Sequence, residues 1–346
     1  MYMRIAFFDT KPYDRQSFDQ YINQYDMKIK YFESKLNEDT VALAAHTDVA
    51  CAFVNDTLNE SVVNALVDMG IKLLALRCAG YNHVDFKAAY NRLHIVRVPA
   101  YSPYAVAEHA IALMFSLNRK THRAYIRTRD NNFNINGLTG FDFHGKTVGV
   151  IGTGKIGRIF IDICKGLGMK VIAYDMYPSE IEGVEFVELK SLYQKSDIIS
   201  LHCPLTKETH YMIDDHAIQQ MKEGVMLINT SRGALIQTEH LIDGLKSKKI
   251  GSAGLDVYEE ESEYFFEDFS SESIEDDILA RLLSFSNVLV TSHQAFLTKE
   301  ALSNIAETTL ENIKAYQEGK PLVNEVCYHC PEGPLKCIKK ETGRCW

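Results

Sequence analysis

The chain has 346 residues, 46% of them hydrophobic and 24% charged, which suits a globular protein with room for two separate cores. A net charge of −9 argues against a nucleic-acid or anionic-membrane surface. No apolar run reaches the ~18 residues that a membrane span needs, and Met3-Arg4-Ile5-Ala6-Phe7-Phe8-Asp9 reads as an opening strand rather than a secretory signal. The expected compartment is the cytoplasm.

Short β-rich runs alternate with helical stretches along the chain. The expected strands are 3–9, 28–32, 48–55, 71–78 and 94–98, followed by 147–152, 170–175, 198–203, 225–230, 251–257 and 287–292. Runs such as Ile71-Lys72-Leu73-Leu74-Ala75-Leu76 suit strands covered on both faces, as in parallel sheets. Strand–helix alternation at this spacing implies right-handed βαβ units. The expected class is α/β, with two doubly wound parallel-sheet domains, Rossmann- or flavodoxin-like, and a cleft between them. Ser102 and Pro103 suit an N-cap and a first helical residue. Ala107, Ala110, Ile111, Met114 and Leu117 then repeat with helical period. A second long helix beginning near Thr298 carries Leu302, Ile305, Leu310 and Ile313. Two such crossings predict one domain from residues 1–101 with 296–346, and another from 102–295. The stretch 259–277 holds 10 acidic residues among 19 and reads as a solvated insertion, apart from Glu261 at its start.

The predicted strand 147–152 runs into Gly152-Thr153-Gly154-Lys155-Ile156-Gly157, and a helix follows. Gly152 permits the tight turn, Gly154 lets backbone amides approach a pyrophosphate, and Gly157 lets helix and strand pack closely. The helix N-terminus favours phosphate. Asp175 ends the next strand, eighteen residues past Gly157. It is placed to accept hydrogen bonds from ribose hydroxyls and to repel a 2′-phosphate, so NAD is expected rather than NADP.

Three further strands deliver chemistry to the same edge. Val225–Thr230 runs into Arg232, Gly254–Tyr258 into Glu261, and Asn287–Thr291 into His293. Ligands in open α/β sheets collect outside the carboxyl ends of the strands. A ketone that accepts hydride becomes an alkoxide and needs a proton, which histidine can supply. A carboxylate beside the imidazole orients it, and Glu261 is the candidate. The Arg232 fork matches a carboxylate and can polarise the adjacent ketone. Each residue alone also fits a duller role: a satisfied strand-end histidine, a surface charge, a solvated acid. Their shared position beside a dinucleotide site favours catalysis. His83, His109 and His202 sit in loop, helix and strand contexts and are set aside, while Asp256 is a strand-end acid near the nicotinamide side.

Arg77-Cys78-Ala79-Gly80-Tyr81-Asn82, Val98-Pro99-Ala100-Tyr101-Ser102-Pro103, Ala107-Glu108-His109-Ala110, Leu201-His202-Cys203-Pro204-Leu205-Thr206, Asn229-Thr230-Ser231-Arg232-Gly233, Gly254-Leu255-Asp256-Val257-Tyr258-Glu259 and His293-Gln294-Ala295-Phe296 complete a pattern with the glycine signature. In these stretches, spread over roughly residues 4–326, the chain resembles the D-2-hydroxyacid dehydrogenases, and within them the fermentative D-lactate dehydrogenases of bacteria. The resemblance implies that Arg232 binds and polarises substrate, Glu261 supports the histidine, and His293 is the acid/base. It implies NAD contacts at Lys155, Ile156, Asp175, Cys203, Pro204, Thr209, Thr230, Ser231, Arg232 and Asp256. The amides of Cys78, Ala79 and Gly80 would hold the substrate carboxylate. Tyr101 and Phe296 would line a pocket small enough to favour pyruvate. A homodimer built through the cofactor domains, or a homotetramer, is also implied. Rival readings are a hydroxyisocaproate- or a glyoxylate- and hydroxypyruvate-type reductase. A non-catalytic NAD-sensing module like the C-terminal-binding corepressors is a further alternative.

The chain departs from this pattern after about Glu325. Cys327, Cys330, Cys337 and Cys345 crowd the tail with C-x₂-C-x₆-C-x₇-C spacing. That set is compatible with zinc, an iron–sulfur cluster, two disulfides, a redox-sensitive flap or plain reduced thiols, and it matches no standard zinc module. No metal is assigned from it.

Overall fold

The computed structural model describes residues 2–261, 263–329 and 339–346. In chain order the elements begin with β1 (Met3–Phe7), α1 (Pro12–Tyr21), β2 (Met27–Tyr31), β3 (Val49–Ala52), α2 (Glu60–Asp68), β4 (Leu73–Leu76), α3 (Phe86–Ala89) and β5 (His94–Val96). Then follow α4 (Pro103–Arg119), α5 (Thr121–Arg129), β6 (Thr147–Ile151), α6 (Lys155–Gly166), β7 (Lys170–Tyr174), β8 (Glu185–Phe186), α7 (Leu189–Lys195) and β9 (Ile198–Leu201). The remainder is α8 (Asp215–Gln220), β10 (Val225–Asn229), α9 (Thr238–Lys246), β11 (Ile250–Leu255), α10 (Asp277–Leu283), β12 (Val288–Val290), α11 (Lys299–Gln317), β13 (Glu325–Val326) and α12 (Lys339–Thr342). The chain divides into two compact units, Met1–Ser102 with Thr298–Trp346, and Pro103–Leu297.

The first unit holds a six-stranded sheet in the order β13-β5-β4-β3-β1-β2. All neighbours are parallel except β13, which runs antiparallel to β5. Every residue of β3 and β4 is buried, as their continuous apolar runs require. The expected strand 48–55 stops at Ala52 because Asp56 takes the chain off the sheet. Its carboxylate accepts from the Phe53 N–H at 2.5 Å and the Leu36 N–H at 2.6 Å. Burial pushes this carboxyl up to about 7, against the pull of Arg77 and the two amides. Thr298 caps α11 by accepting from the Ala301 N–H at 3.2 Å. Ile305, Ala306, Leu310 and Ile313 form the buried face of that helix.

The strand β13 escaped the sequence reading, because two residues carry no period. What holds it is a set of side-chain contacts from the end of the chain. His94 Nδ1 lies 2.5 Å from Glu325 Oε1, and the His94 ring stacks on Trp346 with centroids 4.0 Å apart. The Cys345 N–H donates to Glu325 Oε2, and Lys339 Nζ donates to the Val323 and Glu325 carbonyls. Of the candidate tail thiols, Cys327 and Cys345 are buried, whereas Cys330 and Cys337 lie outside the described residues.

The second unit holds a seven-stranded, all-parallel sheet in the order β12-β11-β10-β9-β6-β7-β8. Strand order reverses between β6 and β9, the topological switch point of a doubly wound sheet. Both β9 and β10 are buried throughout. One layer of core joins α4 to α6 through Ala107, Ala110, Leu113, Met114, Phe160 and Ile161. Gly254 makes room for α4: a Cβ there would sit 3.2 Å from Leu113 Cβ and 3.0 Å from Leu117 Cδ1. The acidic stretch 259–277 is more than a solvated insertion. Its acids are mostly exposed, but Phe265 is buried in the second layer of core, and Tyr264, Phe266 and Ile274 pack against it. Counting charge alone hid these apolar positions.

Candidate active site

The glycine signature is built as its chemistry demands. Gly152 has φ +95°, and a Cβ on it would lie 2.6 Å from the Cys203 amide nitrogen. The turn leaving β6 therefore touches the exit of β9 at the switch point. A Cβ on Gly157 would lie 2.0 Å from the Gly152 carbonyl oxygen, so α6 packs there without side-chain volume. At Gly154 a Cβ would meet no atom within 4 Å, which leaves open space in front of the N-terminus of α6, where Lys155 and Ile156 begin the helix.

Asp175 lies just past β7. Its Oδ2 accepts from the Thr153 N–H at 2.6 Å and the Thr153 hydroxyl at 2.9 Å, and its Oδ1 accepts from the Tyr177 N–H at 2.9 Å. Partial burial raises this carboxyl, but the three donors and Arg158 outweigh it and hold the group below the ordinary carboxylate range. The acid is thus ionised and fixed to the glycine turn. On the other side, the Ser231 hydroxyl donates to the Cys203 carbonyl at 2.6 Å, joining the exits of β9 and β10. Thr209 Oγ1 donates to the Pro204 carbonyl at 2.7 Å and shapes the loop after β9. Burial pushes the Cys203 thiol up to about 11, so it remains protonated. Thr230 Oγ1 is buried and has no hydrogen-bond partner among the described residues. An open helix terminus, an anchored acid and an unpartnered hydroxyl at one sheet edge fit the phosphates and hydroxyls of a dinucleotide.

Glu261 and His293 meet directly, with Oε1 2.7 Å from Nδ1. The second carboxylate oxygen accepts from the Tyr258 N–H at 3.1 Å, which locks the carboxylate plane. An ionised carboxylate only accepts, so His293 Nδ1 carries the hydrogen of this contact and Nε2 is the ring nitrogen that stands outside it. His293 has φ +48°, a backbone state that non-glycine residues rarely adopt and that recurs at functional sites. Phe266 flanks its ring at 6.1 Å, and Phe296 follows at 6.5 Å from Phe266.

Arg232 joins this pair through backbone packing. Its neighbour Gly233 lies so close to the exit of β11 that a Cβ would sit 2.1 Å from the Tyr258 carbonyl. The guanidinium donates from Nη1 to the Ser231 carbonyl at 2.7 Å and has no carboxylate partner among the described residues. Asp256 is fully buried and accepts the Thr291 hydroxyl at 2.6 Å and the Gln294 and Ala295 amides at 2.9 and 2.8 Å.

A family model, "D-isomer specific 2-hydroxyacid dehydrogenase, NAD binding domain", matches residues 111–295. The chain is 52% identical to a 2-hydroxyacid dehydrogenase homolog of Haemophilus influenzae, with 94% of this chain and 99% of that one covered. It is 50% identical to the D-lactate dehydrogenase of Escherichia coli, over 94% of this chain and 100% of the relative. The chain belongs to the D-isomer specific 2-hydroxyacid dehydrogenases. The apo structure of the Escherichia coli enzyme superposes with a TM-score of 0.86 at 48% identity, covering 94% of this chain and 100% of that one.

As a 2-hydroxyacid dehydrogenase the protein carries its NAD-binding domain in the second unit. In the first unit, Cys78, Ala79 and Gly80 leave β4 with their carbonyls engaged. Cys78 O accepts from the Val98 N–H at 3.2 Å, and Ala79 O accepts from Arg97 Nη1 at 2.7 Å. With the Cys78–Ala79 and Ala79–Gly80 peptides trans, as are all peptides among the described residues, the Ala79 and Gly80 N–H groups point the opposite way. The Tyr101 carbonyl accepts from Asn304 Nδ2 at 2.5 Å. Phe266, Thr291 and the Tyr258 amide escaped the sequence reading. Their contributions depend on which strand ends adjoin, and no local motif announces that. His202 is half-buried, hydrogen-bonded to Ser200 Oγ at 2.9 Å and pushed down to about 3 by desolvation of its ring, so it stays neutral.

Asp175→Ser removes the anchor of the glycine turn and the expected acceptor for ribose. NADH affinity is expected to fall about tenfold, ~1.4 kcal/mol, while the preference over NADPH narrows. Fluorescence titration with both nucleotides checks this; unchanged affinities would remove Asp175 from the site.

Proposed function

We propose that the protein reduces pyruvate to D-lactate, with His293 as proton donor and Arg232 as the substrate-binding cation. The observation that carries this reading is the Glu261–His293 pair, 2.7 Å apart at the strand exits of the NAD-binding unit. When bound, NADH supplies the hydride that the ketone carbon accepts. His293 gives the Nε2 proton to the oxygen that becomes the hydroxyl, and Glu261 compensates the charge of the doubly protonated ring. Arg232, which has no carboxylate partner among the described residues, takes the keto acid's carboxylate and draws electron density from the ketone. The Ala79 and Gly80 amides are proposed as further carboxylate donors. Phe296 and Tyr101 are proposed to limit the substrate side chain to about a methyl group. The Escherichia coli D-lactate dehydrogenase likeness supports pyruvate over bulkier 2-keto acids.

His293→Ala is expected to lower kcat by ~10²–10⁴-fold while the NADH dissociation constant changes less than about twofold. Stopped-flow NADH oxidation and fluorescence titration check the two halves separately. Initial rates on pyruvate, 2-oxobutyrate, phenylpyruvate, hydroxypyruvate and glyoxylate should rank pyruvate first; a different leader would reassign the substrate within the family. Arg232→Lys should raise KM for pyruvate by one to two orders of magnitude, about 1.4–3 kcal/mol, and an unchanged KM would free Arg232 from substrate binding.

The second unit also displays exposed apolar side chains along α5 and the segment after it: Tyr125 and Ile126 at 62% and 60% exposure, Phe133 at 74% and Ile135 at 78%. We propose that a second copy of the chain covers them, in a homodimer or homotetramer. Phe133→Ser with Ile135→Ser should lower the mass seen by light scattering; a wild-type monomer would refute the idea.

A further inference from the structure

The imidazole of His109 lies on α4, away from the catalytic pair in sequence, yet it touches the machinery that holds His293. Its Nε2 is 3.0 Å from Thr291 Oγ1 and 3.3 Å from Asp256 Oδ1. We propose that His109 is a positioning residue, the fixed donor that completes a clamp holding His293 in its strained backbone state. The proposal rests on the reading of His293 as the proton donor.

Proton accounting sets the direction of the contacts. Thr291 Oγ1 and Asp256 Oδ1 are 2.6 Å apart, a separation that demands a hydrogen between them. The threonine hydroxyl has one hydrogen and the carboxylate has none, so Thr291 donates to Asp256. Its lone pairs then face His109, and the 3.0 Å contact requires Nε2 to carry the hydrogen. The chain runs from His109 Nε2–H to Thr291 Oγ1–H to Asp256 Oδ1, with the same ring N–H also directed at Asp256.

What Asp256 holds is the catalytic strap. The carboxylate takes the Gln294 and Ala295 N–H groups, and the Asp256 backbone carbonyl takes the N–H of His293 itself at 2.8 Å. These contacts fasten residues 291–295 on both sides of His293 and fix its φ at +48°. Asp256 is fully buried, and among the described residues His109 is the one ionisable side chain within ion-pair distance of it. A buried carboxylate keeps its place only while its donors are in place. His109 sits outside the strap, on a helix held by its own core packing. Its helix neighbours Ala107, Ala110, Leu113 and Met114 are buried in the core layer shared with α6. A rigid helix thereby supplies the reference against which the strap is set.

The test uses the full-length enzyme with His109→Leu, His109→Gln, Thr291→Val and the His109→Leu/Thr291→Val double variant. His109→Leu should lower kcat about tenfold and displace the kcat–pH profile, with NADH affinity within about twofold. His109→Gln, which keeps a donor on a side chain of similar reach, should restore most of the loss. The double variant should be no worse than the poorer single, because both cut one chain of contacts. A wild-type kcat–pH profile in His109→Leu, or losses that simply multiply in the double variant, would overturn the proposal. If His109→Leu fails to fold, Thr291→Val decides: it must reproduce the kcat loss and the profile displacement, and wild-type behaviour refutes the clamp. Hydrogen exchange of the His293, Gln294 and Ala295 amides in unliganded enzyme separates this idea from the reading of His293. Exchange at least tenfold faster in the variant supports the clamp even if His293→Ala proves active, and unchanged exchange sinks the clamp even if His293 is the acid.

Discussion

The carbonyl oxygen of Gly152 fills the space that a side chain at position 157 would need, at 2.0 Å from an ideal Cβ. The Cys203 amide does the same to Gly152 at 2.6 Å. Helix α6, strand β6 and the exit of β9 are therefore in backbone-to-backbone contact. Everything that follows in the second unit is referred to this junction. The open N-terminus of α6 faces outward because of it, and Asp175 reaches the turn through Thr153. Ser231 ties the next strand exit to Cys203. Side-chain-free contact is what lets three strand ends and one helix end converge within the reach of a single dinucleotide.

From that junction the functional groups are passed along the sheet edge from strand to strand. Gly233 lets the exit of β10 rest on Tyr258, the Tyr258 amide holds Glu261, and Glu261 holds the ring of His293. The first link is a close backbone approach, and the other two are hydrogen bonds of 3.1 and 2.7 Å. Phe265 is sunk in the core beneath this edge and Phe266 lies beside the imidazole. Mostly exposed acids on the same segment stay in water while the aromatic residues among them reach the protein interior. Composition alone misjudges such a segment because it averages over two faces.

Much of this was legible in the sequence, for identifiable reasons. The parallel sheets could be read because β3 and β4 are apolar at every position and β9 and β10 are apolar at all but one, Ser200 and Asn229. The glycine turn could be read because each glycine answers a steric demand that only glycine meets. The Glu261–His293 contact followed from two strand exits being neighbours, and β11 and β12 are paired. The failures share a cause as well. β8 and β13 are two-residue edge strands and have no periodicity. His109 looked like an ordinary helical histidine, since its partners lie 182 and 147 positions further along the chain. Asp256 was recognised as a strand-end acid, but its work of gathering donors from residues 291–295 depends on three-dimensional adjacency.

The two rims of the first unit's sheet are treated differently, and this bears on how the chain behaves in a crowded cell. At one rim, β2 alternates exposed Lys28 and Lys30 along its length. At the other, β13 occupies the pairing positions of β5, and Trp346 lies flat on His94 behind it. Neither rim offers a bare, uncharged ladder to a passing polypeptide. Newly made copies of the chain are thereby discouraged from zipping together through the edges of this sheet, and the Glu325–His94 contact helps to keep β13 in its place.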